Sequence, residues 1–445
     1  MTAAELGDRL ELSEFDVNLA LLRIQATGTV MQGRYTPASS TADATKPEWC
    51  ERRLLARIHR LTVASLRKQI EPVTAQVFMR WLLHWQHLAP GSHVSGERGL
   101  LELLRQLQGF EAPASAWERH ILAPRMNGGY DPGFLDQLCL TGQIGWGRLS
   151  PHPAALEQNP PSPATTLASA ETGSGRRIVP TSVAPLTFFV RDDCEWMHAH
   201  TFSATERMQS LEQCLSADAR AIHDKLRSRG AQFFADLVRL TALPKAQVET
   251  ALWELIAAGL VTADGYDNLR SLIDPKRRAA MDAPHVGKQR RPRNNAGRWS
   301  LLWHEDDIEP TAEQRDEAIL STCRMLLARY GVVFRELSLR ESNLPKWREI
   351  LICLRRMEDR GEIRGGRFVS GFLGEQFALP QAVESLRGMR ARLARSSGEE
   401  ITVCAADPLN LVGIIVPGDR VMAITGRKVT YRDGIAVEAM SATAQ

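Results

Sequence analysis

Residues 215–264 read LSADARAIHDKLRSRGAQFFADLVRLTALPKAQVETALWELIAAGLVTAD, and their pattern decides the fold. The stretch contains an amphipathic helix, a short second helix, a third helix opened by Pro244, and an apolar strand. The same order recurs from Glu317 to Gly371 in EAILSTCRMLLARYGVVFRELSLRESNLPKWREILICLRRMEDRGEIRGGRFVSG. This order of helices and strands predicts a winged helix, a module that most often binds nucleic acid. Ser13 to Tyr35 resembles the end of a further copy whose beginning is trimmed.

Length and composition indicate a globular, multidomain protein. A chain of 445 residues predicts two to four domains, and 44% hydrophobic with 24% charged residues is typical of such chains. The net charge is only +3, from 55 basic and 52 acidic residues. Any face that binds nucleic acid must therefore arise from local segregation of charge.

Cysteine usage and hydropathy predict a cytoplasmic location, and the predicted binding of nucleic acid makes us expect association with the nucleoid. The seven cysteines are scattered without CxxC spacing, which favours neither a zinc site nor a disulfide framework. The N-terminus MTAAELGDRLELSEF is acidic and lacks the apolar segment of a signal peptide. No uncharged apolar run is long enough to span a membrane, so we expect no membrane partner.

The predicted fold class is mainly α with small β: winged helices in a helical accessory region, followed by a small β-barrel or sheet. Glu48 to Ile70 is predicted to be one long helix that Pro72 closes. Seven segments are predicted: 1–72 as the end of a winged helix with a connecting helix, 73–150 as a helical subdomain containing Trp85, 151–185 as a linker, 186–273 as a winged helix, 274–300 as a basic linker, 301–380 as a winged helix, and 381–445 as the β element.

The third helices of the two winged modules are candidate recognition helices. Such a helix needs hydrogen-bond donors in its first turns to meet phosphates and base edges. The helix from Pro345 supplies Lys346, Arg348 and Arg355, whereas the helix from Pro244 is nearly neutral apart from Lys245. The alternative is that these helices only pack against other parts of the protein.

A tryptophan-rich helix, AQVFMRWLLHWQHL, offers a second kind of contact. Trp85 lies near its end beside Arg80, His84 and Gln86, where it could stack on an unpaired base, a contact worth about 1–3 kcal/mol. The alternative is that Trp81 and Trp85, four residues apart, both belong to the core. For Trp81 we favour the core.

Catalytic motifs of comparable strength are absent from the sequence. No GxxxxGK[ST] phosphate loop occurs, and the sequence Asp316-Glu317-Ala318-Ile319 lies in a polar helical stretch rather than after a buried strand. Dispersed histidines predict no metal site. Asp407 and Asp433 are the only isolated catalytic candidates, and both lie where a carboxylate commonly caps a turn.

Several longer stretches resemble the C-terminal half of a bacterial large helicase-related protein, the Lhr family of superfamily 2 helicases. They include FMRWLLHWQHLAPG, YDPGFLDQLCLTGQIGWGRL, and AADPLNLVGIIVPG with VTYRDG. The resemblance extends over most of the chain from about Gly33 to Val437. It implies the end of a winged helix plus an accessory domain similar to AlkZ-type DNA glycosylases, without the RecA-like motor domains.

This resemblance implies a partner and a mechanism. The family translocates 3′ to 5′ on single-stranded DNA and unwinds duplexes, RNA:DNA hybrids especially, at the expense of ATP. Here ATP and Mg²⁺ would belong to motor domains supplied in cis or in trans, so we expect no cofactor in this chain. The resemblance implies that the chain clamps the single-stranded tracking strand and takes part in DNA repair. Trp85 is the position to which we transfer the family's stacking aromatic.

Two alternatives remain open. Some long family members are linked to uracil excision, which needs a pocket for a flipped base. We expect the AlkZ-type QxQ signature to be absent from the apolar segments, so Asp407 or Asp433 would have to serve as the catalytic carboxylate. The other alternative is a protein–protein docking platform.

Overall fold

The computed structural model describes residues 1–35, 47–68, 71–150, 152, 184–193, 196–197, 214–273, 297–303, 310–393, 395 and 398–441. Its α-helices are α1 (Ala3–Leu10), α2 (Glu14–Ala26), α3 (Arg52–Lys68), α4 (Ala75–Trp85), α5 (Gly96–Leu107), α6 (Pro132–Leu140), α7 (Ala217–Arg229), α8 (Phe234–Thr241), α9 (Lys245–Ala258), α10 (Asp267–Ile273), α11 (Ala312–Tyr330), α12 (Trp347–Asp359) and α13 (Pro380–Leu393). Its strands are β1 (Val30–Gly33), β2 (Glu48–Glu51), β3 (Ala112–Pro113), β4 (Ile144–Gly147), β5 (Pro185–Val190), β6 (Gln232–Phe233), β7 (Val261–Ala263), β8 (Arg298–Leu301), β9 (Val332–Val333), β10 (Arg364–Gly366), β11 (Gln376–Ala378), β12 (Glu400–Cys404), β13 (Arg427–Arg432) and β14 (Ile435–Ser441).

The N-terminal unit contains α1, α2, the β1–β2 hairpin and α3. A capping box between Thr2 and Glu5 begins α1, and the Ser13 side chain caps α2. The strands pair antiparallel, and Trp49 of β2 is buried in a small core with Val17 and Leu21. The predicted helix from Glu48 is therefore corrected: its first four residues form β2 because Trp49 must point into this core.

The first winged helix spans residues 96–190 and corrects the prediction of a merely helical subdomain at 73–150. Its helices are α5, an irregular second helix and α6, and its sheet has the order β3-β5-β4. The second helix combines 3₁₀ turns with a π-helical stretch, Trp117–Leu122. Strand β5 follows the predicted linker 151–185, most of which lies outside the described residues, so that segment interrupts a wing.

The second winged helix spans residues 217–301 and contains α7, α8 and α9 with the sheet β6-β8-β7. Its last strand, β8, begins within the segment predicted to be a basic linker, 274–300. The partner of Val261 in that sheet is Leu301, which extends the module beyond the predicted end at residue 273. Residues 274–296 lie outside the described residues.

The third winged helix begins at α11, where a capping box joins Thr311 to Gln314. Strand β9, a 3₁₀ turn at Arg335–Arg340 and α12 follow. Strand β11 pairs with β9, with Phe377 opposite Val333. The module predicted at 301–380 is thus present, and α12 holds the place of its recognition helix.

The C-terminal element is an antiparallel sheet of order β12-β13-β14, preceded by α13. Of the two predicted forms, barrel or sheet, the described residues form the open sheet. Its buried Tyr431 donates a hydrogen bond to the carbonyl oxygen of Leu409, 2.8 Å away, which fixes the irregular segment between β12 and β13.

A continuous hydrophobic core joins the first and second winged helices. Trp146 of β4 meets Tyr266 and Trp299 edge-on, at centroid distances of 6.0 and 6.4 Å. Edge-to-face pairs of this kind stabilise a core beyond the area that they bury. Among the helices described, none combines the length and apolar character that crossing a membrane requires.

Candidate nucleic-acid interface

Trp85 is the last residue of α4, and the fold holds it on two sides. Its indole N–H donates a 2.9 Å hydrogen bond to the carbonyl oxygen of Ala328 on α11. One face of the ring stacks on Trp81, with centroids 5.0 Å apart and planes inclined by 26°. Trp81 is fully buried, as predicted, whereas Trp85 is half-buried. A base can therefore stack only on the remaining face of Trp85.

Gln106 of α5 braces this tryptophan. Its Nε2 donates to the carbonyl oxygen of Trp85 at 2.9 Å and to that of Ala328 at 3.4 Å. Its Oε1 is buried and accepts no hydrogen bond from any residue described. An unsatisfied buried acceptor costs about 1–3 kcal/mol. The fold therefore leaves one polar atom beside Trp85 without a hydrogen-bond partner among the residues described.

The exposed part of Trp85 lines a cleft of ≈ 610 Å³. A second half-buried tryptophan, Trp196, lines the same cleft, together with the exposed guanidinium groups of Arg105 and Arg324. No ion pair joins Arg105 to a described residue, while Arg324 lies 3.6 Å from Glu362 and 3.9 Å from Glu317. The cleft thus combines two aromatic walls with two accessible cations.

The polar end of the cleft contains Gln108 and Asp193. Gln108 Nε2 donates to Asp193 Oδ2 at 3.0 Å, and Gln108 Oε1 accepts from the backbone N–H of Val190 at 3.1 Å. Gln106-Leu107-Gln108 is a QxQ triplet, so the prediction that this signature is absent is wrong. The triplet lies at the end of α5, with both glutamines in the cleft wall.

Gln86 follows Trp85 but faces a buried polar network. It has no exposed surface, and its Nε2 donates to the carbonyl oxygen of Arg329 at 2.9 Å. Its own carbonyl oxygen accepts from Arg125 Nε at 2.9 Å. The prediction that Gln86 contacts nucleic acid is corrected, because a side chain enclosed by the fold offers no surface to a ligand.

Asp407 belongs to the same network, which corrects its candidacy as a catalytic acid. The carboxylate is fully buried and forms a bidentate pair with Arg125, at 2.7 and 2.9 Å. Its Oδ1 also accepts from the backbone N–H of Leu409 at 2.9 Å. Arg340 donates to the carbonyl oxygen of Asp407 at 2.7 Å. These contacts leave neither carboxylate oxygen accessible to a substrate.

Asp433 and Arg80 form a second internal pair, so both of their predicted roles are corrected as well. Arg80 Nη2 lies 3.3 Å from Asp433 Oδ1, and both side chains are buried. Arg80 Nη1 also donates to the carbonyl oxygen of Arg395 at 2.7 Å, and Asp433 Oδ2 accepts from the N–H of Gly398. The pair anchors the C-terminal sheet to α4.

His84 is half-buried on α4 and lies 3.2 Å from the guanidinium of Arg392. Burial lowers the pKa of His84, and the positive charge of Arg392 lowers it further. Because the guanidinium can only donate, Nε2 is the acceptor and the ring is neutral. A role as a charged phosphate contact is therefore disfavoured, although the residue keeps accessible surface.

The cations predicted on the recognition helices lie on the surface. Lys346 and Arg348 are exposed at the start of α12, and Lys245 is exposed at the start of α9. Arg355 is also exposed, but its guanidinium pairs with Glu375 at 2.6 Å. The four residues do not lie in the Trp85 cleft, and their binding of nucleic acid stays a prediction.

Sequence reasoning missed Arg105, Arg324 and Trp196 as companions of Trp85. Helical periodicity does not show how α5 and α11 pack around α4, and it is this packing that brings the two arginines beside Trp85. The QxQ triplet at 106–108 was a readable signal, adjacent to Arg105. Among the described residues, no group of three or more potential ligands is arranged to hold a metal ion.

Three winged helices, with an aromatic and cationic cleft beside the first and third, define a nucleic-acid-binding type of accessory region. Models of the family "Large helicase-related protein, winged-helix domain" match residues 73–159 and 312–398. These two segments of the chain are thus similar to the winged-helix domains of large helicase-related proteins.

Two curated relatives align along nearly the whole chain. It is 28% identical over 454 residues to "Lhr helicase/ probable uracil glycosylase" of Mycolicibacterium smegmatis, and 25% identical over 453 residues to "Lhr helicase/uracil glycosylase" of Escherichia coli. The alignments cover 96% and 94% of this chain but 26% of each relative, so the chain spans about a quarter of their length. Streptomyces sahachiroi DNA glycosylase AlkZ aligns with 82% of this chain and 87% of its own, at 14% identity and a TM-score of 0.43.

Proposed function

We propose that this chain is a nucleic-acid-binding accessory region that clamps single-stranded DNA in the manner expected for an Lhr-type 3′-to-5′ helicase. The observation that carries the proposal is the fixed Trp85 indole, whose free face lines a cleft with Arg105 and Arg324. Aromatic faces and cations are the two elements that single-strand binding requires. Lys346 and Arg348 of α12 would add phosphate contacts.

The wider setting follows from this proposal. ATP and Mg²⁺ would act in motor domains joined to this region in cis or in trans, and the chain itself would need no cofactor. RNA:DNA hybrids are the second substrate class, and DNA repair in the nucleoid of the cytoplasm is the proposed context. Competition among single-stranded DNA, duplex DNA and RNA:DNA hybrid would rank these substrates.

Fluorescence anisotropy with a labelled single-stranded 20-mer, at two salt concentrations, tests the clamp. Trp85→Ala should weaken binding by about 1–3 kcal/mol, and Trp85→Phe should restore part of it because a ring remains. The salt dependence should be the same for both variants, since neither removes a phosphate contact. Phe15→Ala, which removes an exposed aromatic from the N-terminal unit, is the control and should bind like the wild type.

Melting curves of each variant verify that the fold persists, because Trp85 also bonds to Ala328. Salt-sensitive binding that does not respond to Trp85 would refute the stacking role and move the contact to the recognition helices. Absence of binding by the wild type would refute the proposal for this chain on its own.

A specific observation supports base excision as a second candidate function. Gln106, Gln108 and Asp193 gather polar groups in the same cleft, and the names of both relatives include uracil glycosylase. Asp407 and Asp433 no longer support this candidate, because both are paired internally. With a uracil-containing strand, Gln108→Ala should abolish excision, whereas the exposed Gln137→Ala should retain it. Equal excision by both variants would refute a catalytic role of the cleft.

The apolar surface of the N-terminal unit supports the third candidate, protein docking. Phe15, Leu19 and Leu22 are exposed on one face of α2, at helical spacing. Leu54, Ile58 and Leu61 repeat that arrangement on α3. Helicase motor domains are the proposed occupant. The test is co-purification of the chain with helicase motor domains. Loss of co-purification in Phe15→Glu, with co-purification retained in Arg98→Gln, would support docking. Equal co-purification of both variants would refute it.

A further inference from the structure

Trp196 is a cleft residue to which neither the sequence nor the family comparison assigns a role. It is half-buried and lines the same ≈ 610 Å³ space as Trp85. A single tryptophan suffices for a strand that passes over a surface. Two tryptophans in the wall of one cleft provide stacking surfaces for a base that has left the strand and entered the cleft.

The dimensions and charges of the cleft specify the ligand further. A volume of this size lies within the range of about 300–1,000 Å³ typical of small-molecule sites, and it is too small for a duplex. Arg105 and Arg324 are exposed at the cleft, where guanidinium groups can pair with phosphates. Of the carboxylates that line the cleft, Glu102 lies 3.3 Å from Arg98, and Asp193 accepts a hydrogen bond from Gln108. Arg324 also lies 3.6 Å from Glu362 and 3.9 Å from Glu317, in exposed pairs that are weak enough for a phosphate to replace.

Gln106 and Gln108 are both half-buried in the wall of the cleft, which makes that wall polar. Nucleobases carry ring N–H or exocyclic amino donors and carbonyl or ring-nitrogen acceptors on their edges. A stacked base with such an edge therefore matches the cleft better than a purely apolar ligand does.

We propose that the cleft holds one extruded nucleobase of a single-stranded nucleic acid between Trp85 and Trp196, with Arg105 and Arg324 on the flanking phosphates. This inference rests on the proposed function, because it presupposes that the chain binds single strands. It adds a second stacking residue, two phosphate contacts and a stoichiometry of one base per cleft.

Photocrosslinking tests the arrangement directly. A 20-nucleotide strand with one central 5-iodouracil is bound to the full chain and irradiated, and the attached peptides are identified by mass spectrometry. The expected result is attachment at both Trp85 and Trp196. Trp196→Ala should remove one attachment and weaken binding about 5- to 150-fold, and Trp196→Phe should recover part of the affinity.

Salt titrations test the arginines. Arg105→Gln and Arg324→Gln should each reduce the slope of log affinity against log salt by about 0.7, the value for one single-strand phosphate contact. Arg220→Gln is the control, because Arg220 is exposed on α7 and does not line the cleft. Its slope should equal that of the wild type.

The possible outcomes separate this inference from the function on which it rests. Attachment at Trp85 alone, with Trp196→Ala binding normally, overturns the two-sided pocket and leaves the clamp intact. Salt-sensitive binding without attachment at either tryptophan overturns both roles of the cleft and assigns binding to another surface. Absence of binding overturns the proposed function itself. Unchanged salt slopes in both arginine variants overturn the phosphate contacts alone.

Discussion

The buried pair of Arg125 and Asp407 provides the sharpest test of the structure. Neither side chain is exposed, and their two hydrogen bonds measure 2.7 and 2.9 Å. Asp407→Asn keeps the shape of the residue but removes the charge that balances the Arg125 guanidinium. Breaking one partner of a buried pair costs about 3–5 kcal/mol, because the other charge is left uncompensated.

The loss should be visible in urea unfolding followed by circular dichroism. With a slope of about 3 kcal/mol per molar urea, a loss of 3–5 kcal/mol lowers the midpoint by about 1–1.7 M. The control is Asp224→Asn, which removes the charge from an exposed pair with Arg227 at 3.7 Å. Its effect should stay within about 1 kcal/mol, as for other surface pairs.

Replacing both partners separates the cost of an unpaired charge from the value of the pair. Arg125→Met combined with Asp407→Leu fills the space without charge and should recover much of the lost stability. If Asp407→Asn alone unfolds at the same urea concentration as the wild type, the reasoning is refuted. A stable Asp407→Asn that has lost uracil excision would instead restore Asp407 as a catalytic candidate.

Three further predictions follow from individual residues. Gly331 has φ 65°, and a Cβ there would lie 2.3 Å from the buried Trp81 ring. Gly331→Ala should therefore lower the free energy of unfolding in urea by about 2–4 kcal/mol. Gly361 has φ 76° and open space around it, so Gly361→Ala should lower that free energy by about 1 kcal/mol or less. Burial and the neighbouring Arg148 lower the pKa of His152 to about 4. The contribution of this residue to stability is therefore complete above pH 6.5 and is lost as the pH falls through 4. His152→Gln should reduce the fall in melting temperature between pH 6.5 and pH 4. Gln86→Leu should lower the free energy of unfolding by about 1–3 kcal/mol. Below the melting transition, its affinity for single-stranded DNA should equal that of the wild type. A loss of this affinity with normal stability would show that Gln86 contacts the ligand.

The second and third winged helices could be predicted because their signals are local. Amphipathic spacing, a proline before the third helix and an apolar strand all lie within about fifty consecutive residues, so pattern alone defines them. The burial of Trp81 was predictable for the same reason, since it lies on a helix that is apolar nearly all round.

The first winged helix escaped sequence reasoning because its signals are weak or distant. Its first strand has two residues, Ala112–Pro113, and its second helix departs from α geometry. Its last strand, Pro185–Val190, is separated from β4 by residues whose composition is typical of a linker. A periodicity argument over a short window could not join these parts.

The cleft was unpredictable for a different reason: its residues come together only through tertiary packing. Trp85 and Ala328, which both line the cleft, are 243 positions apart. Two consecutive residues at the end of α4 also have different surroundings. Trp85 faces the cleft, whereas Gln86 faces the buried network. Chain proximity suggested one shared role for both, whereas the packing of α11 against α4 separates them.

That division explains how a rigid binding site can be built at a helix end, where backbone groups are least constrained. Arg125 donates to the carbonyl oxygen of Gln86, the residue that caps α4, and the Gln86 side chain donates to the carbonyl oxygen of Arg329. The Trp85 indole is then held from the other side by Trp81 and Ala328. Because both sides are ordered before a ligand arrives, a base that stacks there loses little free energy to rearrangement of the protein.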